Sequence, residues 1–115
     1  MRAAVALTVA LALLWPASVA HGSERLSKRE AIRVTGEVVE RRYRADPYAV
    51  WPGGIHGCRR LSARWMRCRA FLRTYRDGSN NTRLHECRWF VFVVLRGGLL
   101  YYRVGATRCS PVQAR

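Results

Sequence analysis

The sequence predicts an α+β fold in which one N-terminal amphipathic helix packs on a four-stranded antiparallel meander sheet, held by two disulfides. Three observations lead to this fold class. Only one segment, residues 28–44, has helical periodicity, and the segments after it alternate between apolar and polar residues. Turns rich in Gly or in Asp and Asn separate these later segments. An even set of four cysteines lies in the later part of the chain.

The first 20 residues have the features of a secretory signal peptide. Arg2 supplies a positive charge, residues 3–14 form an apolar run, and small residues precede the expected cleavage after Ala20. An apolar run of about 12 residues is shorter than the roughly 20 that span a bilayer. We therefore expect an exported protein without stable membrane insertion. Cleavage leaves 95 of the 115 residues, a disordered start over 21–26 and a single domain over 27–115.

The helix is predicted over residues 28–44. Ser27 and Glu30 form a capping box, because the serine hydroxyl and the glutamate carboxylate can each accept from the other residue's backbone amide. Pro47 disfavours helical geometry at the residue before it, so the helix ends near Arg44. At 100° per residue the apolar face consists of Ala31, Ile32, Thr35, Val38, Val39 and Tyr43, with Val34 at its edge.

The rest of the domain is predicted as a loop over 45–57 and a sheet over 58–109. Proline and glycine residues indicate the loop, and its Tyr48 and Trp51 suggest that it packs on the domain. A short strand near 58–61 precedes a strand in which Met66, Cys68, Ala70 and Leu72 alternate with Arg67, Arg69, Phe71 and Arg73. A polar turn over 77–82, a long central strand over 84–95, a Gly97-Gly98 hairpin and a strand over 99–104 complete the meander.

The cysteines Cys58, Cys68, Cys87 and Cys109 favour two disulfides over a zinc site in a short exported chain. There is no C-x-x-C pair, so we expect no metal and no other cofactor. Four cysteines allow three connectivities. We prefer Cys58–Cys68 and Cys87–Cys109, because the midpoints of these pairs, residues 63 and 98, fall in predicted turns.

The charge is concentrated in the sheet half of the chain. The formal net charge is +14, and 20 of the 21 basic residues are arginine. From residue 55 onward there are 13 arginines and two acidic residues. We expect a polyanion-binding face formed by Arg67, Arg69, Phe71, Arg73 and Arg88. Its partner would be an anionic cell-wall polymer, an acidic polysaccharide or extracellular nucleic acid. The alternative is a solvated basic surface whose arginines reflect GC-rich codons.

Catalysis is not expected, because five of the seven acidic residues belong to the helix or its flanks. The remaining enzymatic hypothesis is a small ribonuclease of the microbial type, in which Glu86 and a histidine act as acid and base beside phosphate-binding arginines. Adjacent residues of a strand point to opposite faces, so His85 cannot share a site with Glu86. His56 would have to take that place.

Two resemblances follow from these residues. The leader, the capped helix and the segments Cys58-Arg59-Arg60 and Arg67-Cys68-Arg69-Ala70-Phe71 resemble small arginine-rich exported proteins of high-GC Gram-positive bacteria. That resemblance implies the same fold and no particular activity. The helix-then-meander order with consecutive disulfides is also similar in layout to cystatins, the cysteine-protease inhibitors. The alternative function is a secreted protein-interaction or protease-inhibitor module that uses the aromatic 47–57 loop and the strand that is apolar on both sides. The cystatin Gln-Val-Gly hairpin motif is absent, and no Pro-Trp pair occupies the second loop.

Overall fold

The computed structural model describes residues 24–76 and 83–112. The predicted signal peptide, residues 21–23 of the predicted disordered start and the predicted turn over 77–82 lie outside these ranges. The elements, in chain order, are α1 Lys28–Ala45, β1 Ala49–Ser62, β2 Trp65–Tyr75, β3 Leu84–Arg96, β4 Leu99–Val104 and β5 Arg108–Pro111.

The predicted α+β fold is confirmed. The strands β1 to β4 form an antiparallel meander in the order β1-β2-β3-β4. The predicted number of four strands was too low, because β5 also pairs with β3. The pairing of β4 ends where Val104 lies opposite Val91, and β5 takes up the same edge of β3 from Arg88 to His85. The 13-residue β3 thus has a longer edge than the six-residue β4 can cover.

The helix α1 begins at the predicted capping box. The Ser27 hydroxyl accepts from the Glu30 amide at 3.0 Å, and the Glu30 carboxylate accepts from the Ser27 amide at 3.1 Å. The helix buries Ala31, Val34, Thr35, Val38 and Val39 against the sheet. Ile32, which was predicted on the buried face, is 41% exposed. The helix face that contacts the sheet is rotated from the predicted one, so Val34, predicted at the edge of the apolar face, is buried and Ile32 is not.

The core lies between α1 and one face of the sheet. Alternate residues of β2 and β3 point into it, as the period-two pattern predicts, and the buried set comprises Met66, Cys68, Ala70 and Leu72 on β2 and Cys87, Trp89, Val91, Val93 and Leu95 on β3. The expected disulfides Cys58–Cys68 and Cys87–Cys109 are both present, each between residues directly opposite in the register. Closing loops of these lengths stabilises a fold by about 3 kcal/mol each in the chain-entropy model.

The predicted loop over 45–57 is wrong from Ala49 onward, where β1 begins. The strand pairs Ala49 with Thr74, and its register shifts between Val50 and Gly54. A Cβ at Gly53 would lie 2.8 Å from the Phe71 carbonyl oxygen, so glycine allows a close approach here. Glycine and proline therefore mark a bulged edge strand instead of a loop.

The described end of the predicted disordered start is also ordered. Leu26 is fully buried, and its amide donates to the Ala63 carbonyl at 2.8 Å. The Arg60 guanidinium donates to the Leu26 carbonyl at 2.7 Å. A single apolar side chain in a polar stretch carries no periodic signal, which is why the sequence pattern does not reveal this contact with the β1–β2 turn.

Candidate functional site

The side of the sheet away from α1 carries arginine and aromatic side chains, and we call it the outer face. It consists of the residues that alternate with the buried ones, and the antiparallel register extends it across the strands, since cross-strand partners share a face. Its members include His56 and Arg59 on β1, Trp65, Arg67, Arg69, Phe71 and Arg73 on β2, Glu86, Arg88, Phe90, Phe92, Val94 and Arg96 on β3, Tyr101 and Arg103 on β4, and Arg108 on β5.

Arginine lies opposite arginine at two places on the outer face. Arg59 pairs with Arg67, and Arg88 pairs with Arg108. Like charges directly opposite one another destabilise an antiparallel sheet. Within the described ranges, six arginines of this face have no carboxylate partner, namely Arg59, Arg67, Arg69, Arg96, Arg103 and Arg108. An anion bound between them would relieve this repulsion.

Glu86 is the one carboxylate in the strands that the structure describes. Its side chain, 15% exposed, accepts from Arg73 Nε at 3.2 Å and from Arg88 Nε at 3.0 Å. Burial raises the pKa of Glu86, but the hydrogen bonds and charges of the two arginines outweigh burial, so the pKa lies below its ordinary value. Glu86 therefore stays ionised and neutralises part of the charge of Arg73 and Arg88.

Two open hollows indent the outer face, and Phe90 lines both. The main hollow has a volume of about 860 Å³, and its walls include His56, Arg69, Arg88, Phe90 and Arg108. The side hollow, about 390 Å³, is lined by Arg59, Arg67, Arg69 and Phe90 together with Gly57 and Cys58. The larger volume is within the range of roughly 300–1,000 Å³ that is usual for ligand pockets. Each hollow combines guanidinium donors with an aromatic ring.

Aromatic rings contact an arginine and a histidine side chain on this face. The Arg67 guanidinium lies over the Phe90 ring, 4.6 Å from its centroid. The His56 ring stacks on Phe71 with centroids 4.3 Å apart and planes inclined by 20°. Stacking holds a guanidinium or imidazole in place while leaving its N–H groups free to donate.

The structure brings His56 and Glu86 together, with Nε2 and Oε2 3.7 Å apart. This is the pair that the ribonuclease hypothesis requires. His85 is the cross-strand partner of the buried Thr74, on the opposite face of the sheet from Glu86, and its Nδ1 lies 3.2 Å from the Arg83 carbonyl oxygen. The expectation that His85 and Glu86 do not share a site therefore agrees with the structure.

All five residues predicted for polyanion binding lie on the outer face, but they differ in surroundings. Arg67, Arg69 and Arg88 line the hollows, Arg73 is bound to Glu86, and Phe71 lies under His56. The sequence pattern did not reveal four further arginines of this face, which are Arg59, Arg96, Arg103 and Arg108. The preferred Cys87–Cys109 pair contained a signal for the last of these, because it places Arg108 opposite Arg88.

The fold and the site together define a small two-disulfide α+β domain with an arginine and aromatic sheet face. No family model, curated protein or solved structure matches the chain. Within residues 24–76 and 83–112, no helix combines the length and apolar character needed to cross a membrane. In the same ranges no three histidine, cysteine or acidic residues gather as metal ligands. The two disulfides indicate an oxidising environment outside the cytoplasm.

Proposed function

We propose that this protein is secreted and that its outer face binds an anionic polymer, without catalysis. The observation that carries the proposal is the set of six outer-face arginines without a carboxylate partner in the described part of the chain, four of which line the two hollows. The signal peptide expected over residues 1–20 supports export. The ligand classes with matching charge are anionic cell-wall polymer, acidic polysaccharide and extracellular nucleic acid.

A polymer suits this face better than a single small anion. One exposed ion pair contributes about 0–1 kcal/mol, so one phosphate or carboxylate on one arginine is held weakly. Arg67 and Arg69 are two residues apart on β2, a spacing of about 6.8 Å along the strand. A chain of linked anions lies across several such positions at once, and each contact releases counterions from the polymer.

The proposal is tested by charge reversal on the outer face. The double variant Arg67→Glu, Arg69→Glu should lose binding to inorganic polyphosphate, polygalacturonate and a deoxythymidine oligonucleotide, measured by calorimetry. The matched control is Arg25→Glu, Arg29→Glu, which makes the same change in net charge at two exposed positions near the start of α1. Circular dichroism and a thiol assay establish that each variant is folded and oxidised.

Two results contradict the proposal. The first is that none of the three polymers binds the oxidised wild-type protein. The second is that the two double variants lose affinity equally, which would attribute binding to net charge instead of to the outer face.

The contact between His56 and Glu86 favours RNA cleavage as a second candidate function. His56, oriented by Glu86, would accept the proton of a ribose 2′-hydroxyl as its oxygen attacks phosphorus, and water would protonate the departing 5′-oxygen. This function ranks second because the described outer face holds one histidine and the lowered pKa of Glu86 makes it a weak base. RNA cleavage that disappears in His56→Gln and persists in His85→Gln would support it, and a negative assay with wild-type protein removes it.

A further inference from the structure

A stripe of aromatic side chains runs through the arginines of the outer face. The Phe90 and Phe92 ring centroids lie 6.3 Å apart, and Trp65 continues the stripe at 6.5 Å from Phe92. Phe90 is 38% exposed and Trp65 41% exposed. Salt bridges to a purely phosphate or carboxylate chain use none of these rings. The exposure of Phe90 and Trp65 on the two inner strands β3 and β2 therefore indicates a ligand that also presents apolar, planar groups.

Arginines flank the stripe on both sides. The register places Arg67 and Arg69 of β2 opposite Phe92 and Phe90, and it places Arg103 of β4 opposite Phe92. The outer-face residue of β3 next to Phe90 is Arg88, and Arg108 of β5 lies opposite Arg88. A ligand lying along β3 therefore meets rings at its centre and guanidinium groups at both edges.

Unpaired bases are the planar groups that accompany a regular row of negative charges. Single-strand-binding proteins combine a basic groove with aromatic rings on which successive bases stack. Bases inside a duplex are already stacked and expose only their edges, so exposed rings on an open sheet face favour single strands. The sugars of an acidic polysaccharide have no π face, which gives them a weaker match to a row of phenylalanine and tryptophan rings.

We propose that the ligand of the outer face is single-stranded nucleic acid, which deepens the proposed polyanion-binding function and rests on it. A base enters the main hollow and stacks on the Phe90 ring, which the Arg67 guanidinium also contacts. Arg69 and Arg108, which line the same hollow, bind the phosphates. The next base stacks on Phe92, so the order of rings along β3 follows the order of nucleotides.

The test compares ligands that differ in their bases, with an abasic strand that matches the charge of the deoxythymidine strand and a duplex that has twice that charge. Fluorescence anisotropy measures the affinity of the oxidised full chain for a 12-nucleotide deoxythymidine strand, for an abasic strand of the same length, and for the duplex. Stacking of one base changes affinity by about tenfold. We expect the deoxythymidine strand to bind at least tenfold more tightly than the abasic strand, and more tightly than the duplex.

Variants of the rings locate the effect. Phe90→Leu, Phe92→Leu should remove the preference for bases and leave abasic binding unchanged, while Tyr48→Leu, an exposed aromatic outside the outer face, should change neither. If the double variant does not fold, the comparison of the two strands on the wild-type protein still decides the question.

The outcomes separate this inference from the function on which it rests. Equal binding of the deoxythymidine and abasic strands overturns the inference and leaves polyanion binding intact. Binding of polygalacturonate without binding of either strand also overturns it, in favour of an acidic polysaccharide. Absence of binding to every polymer overturns both.

Discussion

The affinity of the outer face for a single-stranded polyanion should fall steeply with salt. Each phosphate that a protein neutralises on a single strand contributes about −0.7 to the slope of log affinity against log salt. The six outer-face arginines without a carboxylate partner in the described ranges therefore give a slope of about −4.2 when all six contact the strand. Raising monovalent salt from about 50 to 200 mM would then weaken binding about 300-fold.

A single substitution checks the origin of this slope. Arg69 lines both hollows, so Arg69→Ala should remove one phosphate contact and make the slope shallower by about 0.7. Arg29→Ala removes the same charge from an exposed position on α1, across the sheet from the outer face, and should leave the slope unchanged. The assay is anisotropy of a labelled deoxythymidine strand at five salt concentrations.

The reasoning is refuted by either of two results. A wild-type slope between zero and −1 would mean that the arginines do not act together on the strand. An equal change of slope in Arg69→Ala and Arg29→Ala would mean that overall charge, and not the outer face, attracts the polymer.

Three further predictions concern stability, each read from denaturant unfolding. Leu26→Ala should lower the free energy of unfolding by about 2–5 kcal/mol, since Leu26 is fully buried. Ile32→Ala, at an exposed position of α1, should change it by about 0.5 kcal/mol or less. Similar losses in the two variants would contradict the burial of Leu26 in the core. Gly53→Ala should destabilise by about 1–3 kcal/mol because its Cβ would meet the Phe71 carbonyl oxygen, while Gly36→Ala, in open space on α1, should stabilise by about 0.5–1 kcal/mol. Because the pKa of Glu86 is lowered in the folded state, its contribution should be present above the unfolded pKa of about 4.3 and disappear as the pH falls through the folded pKa. Glu86→Gln should flatten this part of the pH profile, and an unchanged profile would show that the two ion pairs add nothing.

Local patterns in the chain predicted much of the fold. The capping box and the apolar period set the start and length of α1, because both are made by residues within one or two turns. The alternation in β2 and β3 assigned each residue to a face. The Cys58–Cys68 disulfide followed from the same logic, since cysteines equidistant from a turn come to lie opposite one another in a hairpin. Cys87 and Cys109 are also opposite one another, but through β5, whose register with β3 differs by one residue from that of β4.

Contacts between distant segments were decided only by the tertiary structure. The glycines of β1 have the composition of a loop, and pairing with β2 and packing against Phe71 make them a strand. Leu26 is a core residue only because the β1–β2 turn lies next to it. β5 exists because β4 leaves part of the edge of β3 uncovered.

The candidate site was likewise determined partly by local sequence patterns and partly by contacts between distant segments. The sequence alone determined that Arg67, Arg69, Phe71 and Arg73 share one face of a strand, because side-chain direction along a strand is a local property with period two. Only the register between strands placed His56 against Glu86. It also brought Arg108 beside Arg88, a position that the preferred Cys87–Cys109 pair implied but the pattern within β3 did not. Register is a property of pairs of segments, and bulges such as those in β1 shift it by whole residues that one segment's pattern does not encode.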